Sequence, residues 1–175
     1  MNYSVIKNCD IANGEGVRVT LFVSGCRNHC EECFQPETWA FNFGKVFNEQ
    51  TENEILELLK PDYIKGFTIL GGEPFEPENQ IALLPFLRKV KEKYPHKDIW
   101  CFTGFVLDEE ILGISRASGF AAIEMLKCID ILVDGRFKKE LKNLKLNFRG
   151  SSNQRIIDVQ KTLKTGNIIL SPLNN

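Results

Sequence analysis

Cys26, Cys30 and Cys33 form a C-x3-C-x2-C run, Cys26-Arg27-Asn28-His29-Cys30-Glu31-Glu32-Cys33. Thiolates are soft metal ligands, and three this close can face one centre. Three residues of chain span at most about 10–11 Å, so the run has to curl around what it binds. An iron–sulfur cubane normally takes four thiolates. Three local ligands leave one iron open to a small molecule, and such a site can do chemistry as well as carry electrons. The alternatives are zinc, with His29, Cys101 or Cys128 as fourth ligand, and three free thiols. The scattered Cys9, Cys101 and Cys128 read as small buried hydrophobes. With only two His, His29 and His96, no Ser-His-Asp or Cys-His hydrolytic arrangement can be assembled.

These residues need elements to hold them. Val17–Val23 is β-branched and aromatic and reads as a strand, as do Phe67–Leu70, Ile99–Phe102 and Ile129–Val133. Arg155–Ile157 and Asn167–Leu170 are weaker strand patterns. Thr51-Glu52-Asn53-Glu54 predicts a capped helix carrying Ile55, Leu58 and Leu59, stopped by Pro61. Leu83, Phe86, Leu87, Val90 and Tyr94 recur at helical spacing over residues 79–94, with a kink or break expected at Pro85. Asp108 caps a helix toward Leu112, and Gly119 separates it from a second helix ending near Lys127. Strands alternating with helices imply βαβ units and a mostly parallel sheet. A complete eight-unit barrel takes about 250 residues, so the fold class is α/β, a partial, open (β/α) barrel in a single domain over residues 1–175. Each strand runs into small or polar residues: Ser24-Gly25-Cys26, Gly71-Gly72-Glu73-Pro74, Thr103-Gly104 and Asp134-Gly135. Ligands of parallel sheets bind at those carboxyl ends.

Composition narrows the class. The 175 residues carry 22 Lys+Arg against 23 Asp+Glu, a net charge of −1. That argues against a general nucleic-acid binder. The lysines at 138, 139, 142, 145, 161 and 164 read as a solvated face. No run approaches the roughly 20 apolar residues of a membrane helix, and Met1–Asn8 lacks a signal-like apolar stretch. A cytoplasmic location and reduced thiols are expected. Phe dominates the aromatics, with 13 Phe against 3 Tyr and 2 Trp, which suggests an aromatic-rich core. Residues 34–50, with Trp39, Phe41, Phe43 and Phe47, read as a long loop that is either part of a docking surface for a protein partner or a core-filling aromatic loop.

The C-x3-C-x2-C run after a first strand resembles the signature of the radical S-adenosylmethionine superfamily. Gly14-Glu15-Gly16-Val17-Arg18 before it and Gly71-Gly72-Glu73-Pro74 after it extend the match. More narrowly, the chain resembles the activating proteins of anaerobic ribonucleoside-triphosphate reductases. Phe34-Gln35-Pro36-Glu37-Thr38-Trp39, Val133-Asp134-Gly135 with Phe137, and Phe148-Arg149-Gly150-Ser151-Ser152-Asn153-Gln154-Arg155 carry that match over nearly the whole chain. Arg136 departs from it, standing where a proline is expected.

The resemblance implies a 4Fe-4S cluster on Cys26, Cys30 and Cys33, with S-adenosyl-L-methionine chelating the open iron. It implies reductive cleavage of the sulfonium and hydrogen abstraction from a glycine Cα on the large subunit of the reductase. It also implies a one-electron donor such as flavodoxin. The Glu32-Cys33-Phe34 backbone is then the adenine contact. Gly71 and Gly72, lacking Cβ, allow close approach to the methionyl amine. Glu73 is either a charged acceptor or a brace of the turn, and Thr103 is a further cofactor contact. Arg27 and His29 would raise the cluster potential or be solvated loop residues. Arg149–Arg155 would close over the cofactor or meet the partner's glycine loop. The alternatives are an activase of another glycyl-radical enzyme, of the pyruvate formate-lyase type, and a non-enzymatic iron–sulfur or zinc module.

Overall fold

Alternation along the central strands decides the layering, since successive side chains in a strand face opposite sides. The computed structural model describes residues 1–174. In β2 (Val17–Val23, following β1, Asn2–Asp10), Val19, Leu21 and Val23 join the main apolar core. After the two-residue β3 (Lys45–Val46), β4 (Ile64–Gly71) gives Phe67 and Ile69 to the same layer, and β5 (Asp98–Phe102) gives Ile99 and Cys101. On the opposite face of these strands lie Arg18, Thr20, Thr68 and Trp100, all buried. Trp100 joins a second, smaller cluster with Val133 of β6 (Ile131–Asp134) and Ile156 of β7 (Arg155–Asp158), against Phe102 and Phe148. One face of the sheet is therefore an ordinary core, and the other mixes polar and aromatic groups.

The sheet has seven strands in the order β3-β1-β2-β4-β5-β6-β7. The pairs β2–β4, β4–β5 and β5–β6 are parallel. The flanking β1 and β7 run antiparallel to β2 and β6. This is the expected partial, open (β/α) barrel. All four parallel strands point their carboxyl ends at one rim.

The helices are α1 (Glu49–Leu58), α2 (Pro77–Lys93), α3 (Phe120–Cys128) and α4 (Val159–Thr165). Helix α1 opens two residues before the Thr51–Glu54 box, because Asn48 accepts the Thr51 N–H at 3.1 Å and is itself a good cap. Helix α2 runs unbroken through Pro85. A proline costs a helix about 3 kcal/mol, whereas burying Leu83, Phe86, Leu87 and Val90 stabilises by about 1.5–3 kcal/mol each. The predicted helix after Asp108 is one wide turn, Leu107–Ile111, closed before Gly113. The strand expected at 129–133 begins at Ile131, and the one at 167–170 reduces to a single bridge between Ile157 and Leu170. Besides the two-residue β3, inside the segment read as a loop, β1 and α4 escaped the sequence pattern. Strand β1 has register shifts between Tyr3 and Val5 and between Lys7 and Asp10, which break its two-residue alternation. Helix α4 is only seven residues long. Among the described residues no helix is long and apolar enough to cross a membrane.

Candidate functional site

The cysteine run leaves the end of β2 through Gly25 at φ 97° and turns again at His29 (φ 47°) and Glu32 (φ 56°). Those left-handed positions supply the curl that the spacing demands. Cys26 is buried, and Cys30 and Cys33 are half-buried. All three border one cavity of about 500 Å³. That size falls in the ordinary range for a small-molecule site. Burial pushes the Cys26 thiol up to about 12 and raises Cys30 as well, so metal loading has to displace tightly held protons. The thiols ring the cavity. Among the described residues no three His, Cys, Asp or Glu side chains gather closely enough to hold a single ion. Three thiols lining one cavity are a donor set that fits an iron–sulfur cluster with one iron left open.

Every site residue read from the sequence borders this cavity: Glu32, Cys33, Phe34, Gly71, Gly72, Glu73 and Thr103 beside the other two cysteines. Their local roles differ. Phe34 stands 76% exposed at the lip. A Cβ on Gly72 would lie 2.7 Å from the Gly25 carbonyl oxygen, and one on Gly71 (φ 113°) 2.6 Å from the Val23 carbonyl oxygen. These glycines admit the neighbouring backbone, so the protein's own packing already requires them. The Glu73 carboxylate is buried and accepts from Phe75 N–H (2.9 Å), Thr103 Oγ1 (2.7 Å), Gly104 N–H (2.7 Å) and Asn28 Nδ2 (3.1 Å). It braces the ends of β4 and β5 against the cysteine run. Burial raises its carboxyl to about 7 even against these donors.

Sequence reasoning missed a second buried carboxylate. Glu76 accepts the Arg27 backbone N–H at 2.9 Å, Arg27 Nη1 at 2.6 Å and Arg116 Nε at 3.2 Å. Glu78 takes the rest of the Arg27 fork. Asn79 is buried too, and its Nδ2 donates to Ser24 O (3.0 Å) and Glu73 O (2.9 Å). The run Glu73-Pro74-Phe75-Glu76-Pro77 held the signal, two acids each followed by a proline just after a strand. The expectation that Arg27 and His29 tune the cluster by positive charge meets a different arrangement. Arg27 is neutralised by its two glutamates, and its guanidinium lies 4.3 Å above Phe41. His29 stacks on Trp39 at 4.5 Å.

For most of the aromatic loop the structure favours the core-filling alternative. Phe47 enters the main core, Phe41 packs beneath Gly25 and Arg27, and Trp39 borders the cavity. Packing claims these rings, and Phe43 keeps an exposed face. On the far side, Asp134 is held by Arg155 (2.5 Å) and by Leu107 N–H (2.8 Å). Asn153 Nδ2 and Gln154 Nε2 donate to Arg136 O and Gly135 O, both at 2.9 Å. Arg136 makes a forked pair with Glu110 at 2.8 and 3.0 Å, which a proline could not make. Arg149, Gly150 and Gln154 reach the cavity, as do Lys142, Asn143, Leu144, Leu146 and Phe148.

The chain matches the model of the 4Fe-4S single cluster domain family over residues 12–157. It is 44% identical over 158 residues to an anaerobic ribonucleoside-triphosphate reductase-activating protein of Haemophilus influenzae, covering 89% of this chain and 97% of that protein. Proteins of the same description from Pasteurella multocida (42% over 158 residues; 89% and 96% covered) and Escherichia coli (39% over 156 residues; 88% and 96%) match almost as fully. With three thiols at one rim and relatives matched nearly end to end, the chain belongs to the family of anaerobic ribonucleoside-triphosphate reductase-activating proteins.

Proposed function

We propose that this chain is an activating enzyme that binds a 4Fe-4S cluster through Cys26, Cys30 and Cys33, cleaves S-adenosyl-L-methionine reductively, and generates a glycyl radical on an anaerobic ribonucleoside-triphosphate reductase. The observation that carries it is the convergence of the three thiols and the four strand ends on one cavity. When bound, the cluster supplies one electron to the sulfonium, splitting it into methionine and an adenosyl fragment that takes a hydrogen atom from the glycine Cα.

The rest is the work of this chain's residues. The cysteine run is fixed from behind by Glu73, Glu76 and Asn79, so the thiols are preorganised rather than gathered by the metal. The N–H groups of Gly72 and Glu73 are spent on Val23 O and Gly25 O. The methionyl amine is a donor and would meet the carbonyl side of that turn. The Glu32–Phe34 backbone borders the same cavity and would take the adenine. Phe102, Leu146 and Phe148 give apolar walls that exclude water from a reactive carbon. Residues of the 142–148 segment line the same cavity and would meet a reductase segment that enters it, and a one-electron donor would supply the electron.

The test is anaerobic. The protein is reconstituted with iron and sulfide, reduced, and followed by electron paramagnetic resonance with and without S-adenosyl-L-methionine, then with the reductase. A cluster signal that changes on adding the cofactor, disappears in Cys30→Ala, and leads to a glycyl radical on the reductase is the expected result. A colourless protein holding stoichiometric zinc would overturn the proposal.

A further inference from the structure

Residues 138–145 carry four lysines against one acid, Glu140, in a chain whose net charge is −1. Read alone, such a run is a solvated face. The structure fixes its backbone: Lys138 N–H donates to Ser151 Oγ at 3.2 Å, Asn143 N–H to Gly150 O at 3.1 Å, and Ser152 N–H to Leu141 O at 2.9 Å. Ser151 is fully buried, and Gln154 Oε1 accepts the N–H groups of Gly150 (2.9 Å) and Ser151 (3.1 Å). The Gly150-Ser151-Ser152-Asn153-Gln154 motif is therefore the scaffold of the lysine segment. It sets that segment at the mouth of the cavity. Leu144 lines the cavity and is yet 91% exposed, so it stands where the cavity meets solvent. Lys142 lines the cavity too, Lys145 follows Leu144, and Lys138 follows Phe137, another residue of its wall.

Lys139 is answered from the cysteine run, by Glu31 at 3.2 Å and Glu32 at 3.0 Å. Lys138, Lys142 and Lys145 are exposed and enter no ion pair among the described residues. Outward positive charge beside an exposed apolar side chain is the make-up of an interface edge, where charge steers a partner of opposite sign and sets its orientation. The partner is the one that must cover this mouth. A reductase that sends its glycine into the cavity brings the surface around that glycine against these lysines, whereas an electron donor does not have to enter. We infer that Lys138, Lys142 and Lys145, with Leu144 as apolar contact, form a docking face for an acidic surface of the reductase outside its glycine segment. The inference rests on the activating function proposed above and adds to it the charge of the partner surface.

Lys138 and Lys145 give the test, because Lys142 borders the cavity itself. The variants are Lys138→Gln, Lys145→Gln, both together, and both replaced by Arg. Each is cluster-loaded, given a chemical one-electron reductant and S-adenosyl-L-methionine, and assayed with and without reductase. Salt is varied between about 0.01 and 0.15 M, over which the screening length falls from about 30 to about 8 Å. The readouts are 5′-deoxyadenosine formed without reductase, and KM for the reductase from glycyl-radical formation. The wild-type KM rises with salt. Each single Gln variant raises the low-salt KM about threefold, the effect of one exposed charge pair, and the double Gln variant raises it about tenfold with a flattened salt dependence. The double Arg variant keeps the wild-type KM, and 5′-deoxyadenosine formation without reductase is unchanged in all four. A wild-type KM and salt dependence in the double Gln variant, with radical still formed, would overturn this inference alone and leave the lysines a solvated face. A loss seen already without reductase would overturn it by assigning the face to the cofactor. A loss seen only when a protein donor replaces the chemical reductant would overturn it by assigning the face to that donor. If the wild-type protein forms no 5′-deoxyadenosine, the functional proposal itself fails and this one with it.

Discussion

Removing the Glu76 carboxylate tests whether the cysteine run is held by the protein or by its metal. In Glu76→Gln the amide oxygen can keep the Arg27 backbone N–H, now 2.9 Å away. The amide NH2 then faces Arg27 Nη1, which sat at 2.6 Å and must swing to Glu78 or to water. A hydrogen bond to a charged partner contributes about 1.5–3 kcal/mol. Arg27 is 46% exposed and can be resolvated, so we expect about 2 kcal/mol, the lower part of that range. Glu76→Ala also removes the acceptor of the partly buried Arg27 N–H, which adds about 1–3 kcal/mol, for a total near 4 kcal/mol. For a chain of this length each kcal/mol moves Tm by about 2–4 °C. The expected losses are therefore about 6 °C for Gln and about 12 °C for Ala. The assay is thermal and urea unfolding of the cluster-free protein under reducing conditions, followed by iron and sulfide content after reconstitution. The Ala variant should load less than half the wild-type iron, and Gln most of it. If Glu76→Ala unfolds within 1 kcal/mol of the wild type, or destabilises the chain yet loads a full cluster, the claim that Glu76 organises the thiols is wrong.

Further outcomes follow from the same geometry. Gly72→Ala should cost about 2 kcal/mol or more and lower iron loading, because its Cβ would meet the backbone of Gly25 and Thr38; retention of both stability and iron would contradict this. Lys139→Ala, which breaks exposed pairs to Glu31 and Glu32 (3.2 and 3.0 Å), should change unfolding by less than about 0.5 kcal/mol, checked by urea titration. Hydrogen bonds from Arg27, Arg155 and Arg136 hold the carboxyls of Glu78 (about 2), Asp108 and Glu110 below their ordinary values. Their folded values lie below the unfolded ones, so this stabilisation is complete above about pH 4.5 and is lost as pH falls toward 2. Glu78→Gln should flatten that acid limb in unfolding curves measured from pH 6 to 3. Phe41→Ala should loosen the cysteine run and cut cluster content, whereas Phe43→Ala should leave it intact and weaken reductase capture in a pull-down.

The rim was legible because its chemistry is written in short segments. Three cysteines within eight residues, and small or polar residues after each strand pattern, need no distant partner to be recognised. The braces behind the rim were not, because each joins residues far apart in sequence. Asn28 meets Glu73, Arg116 meets Glu76 and Arg155 meets Asp134 only after the sheet has formed. The same reason hid β1, whose bulges disguise its period, and the fate of Phe41 and Phe47. Aromatic residues in a loop look the same in sequence whether they wait for a partner or fill the space beneath a turn.

The arrangement of those braces has an electrostatic consequence. A cluster on three thiolates gathers negative charge, and two carboxylates buried just behind it would disfavour loading if both were bare. Burial is the main cause that raises the Cys26 and Cys30 thiols, and the Glu73 charge adds to it. The protein answers each carboxylate differently. Glu76 is matched by Arg27 and Arg116, and the residual positive charge is met by Glu78, so Arg27, Arg116, Glu76 and Glu78 sum to zero. Among the described residues Glu73 forms no ion pair; it is held by two backbone N–H groups, a hydroxyl and an amide, and burial raises its carboxyl to about 7. Arg27 therefore acts on the site by fixing the run's backbone, and its charge is not available to the cluster. Glu78→Gln leaves the group of Arg27, Arg116, Glu76 and Glu78 with a net +1 and should raise the cluster's midpoint potential, whereas Arg27→Gln leaves it with a net −1 and should lower it, with loss of iron as well where it disorders the run. Potentiometry of both variants against their iron content separates the two effects, and an unchanged potential in Glu78→Gln would show that solvent already screens the Arg27 fork.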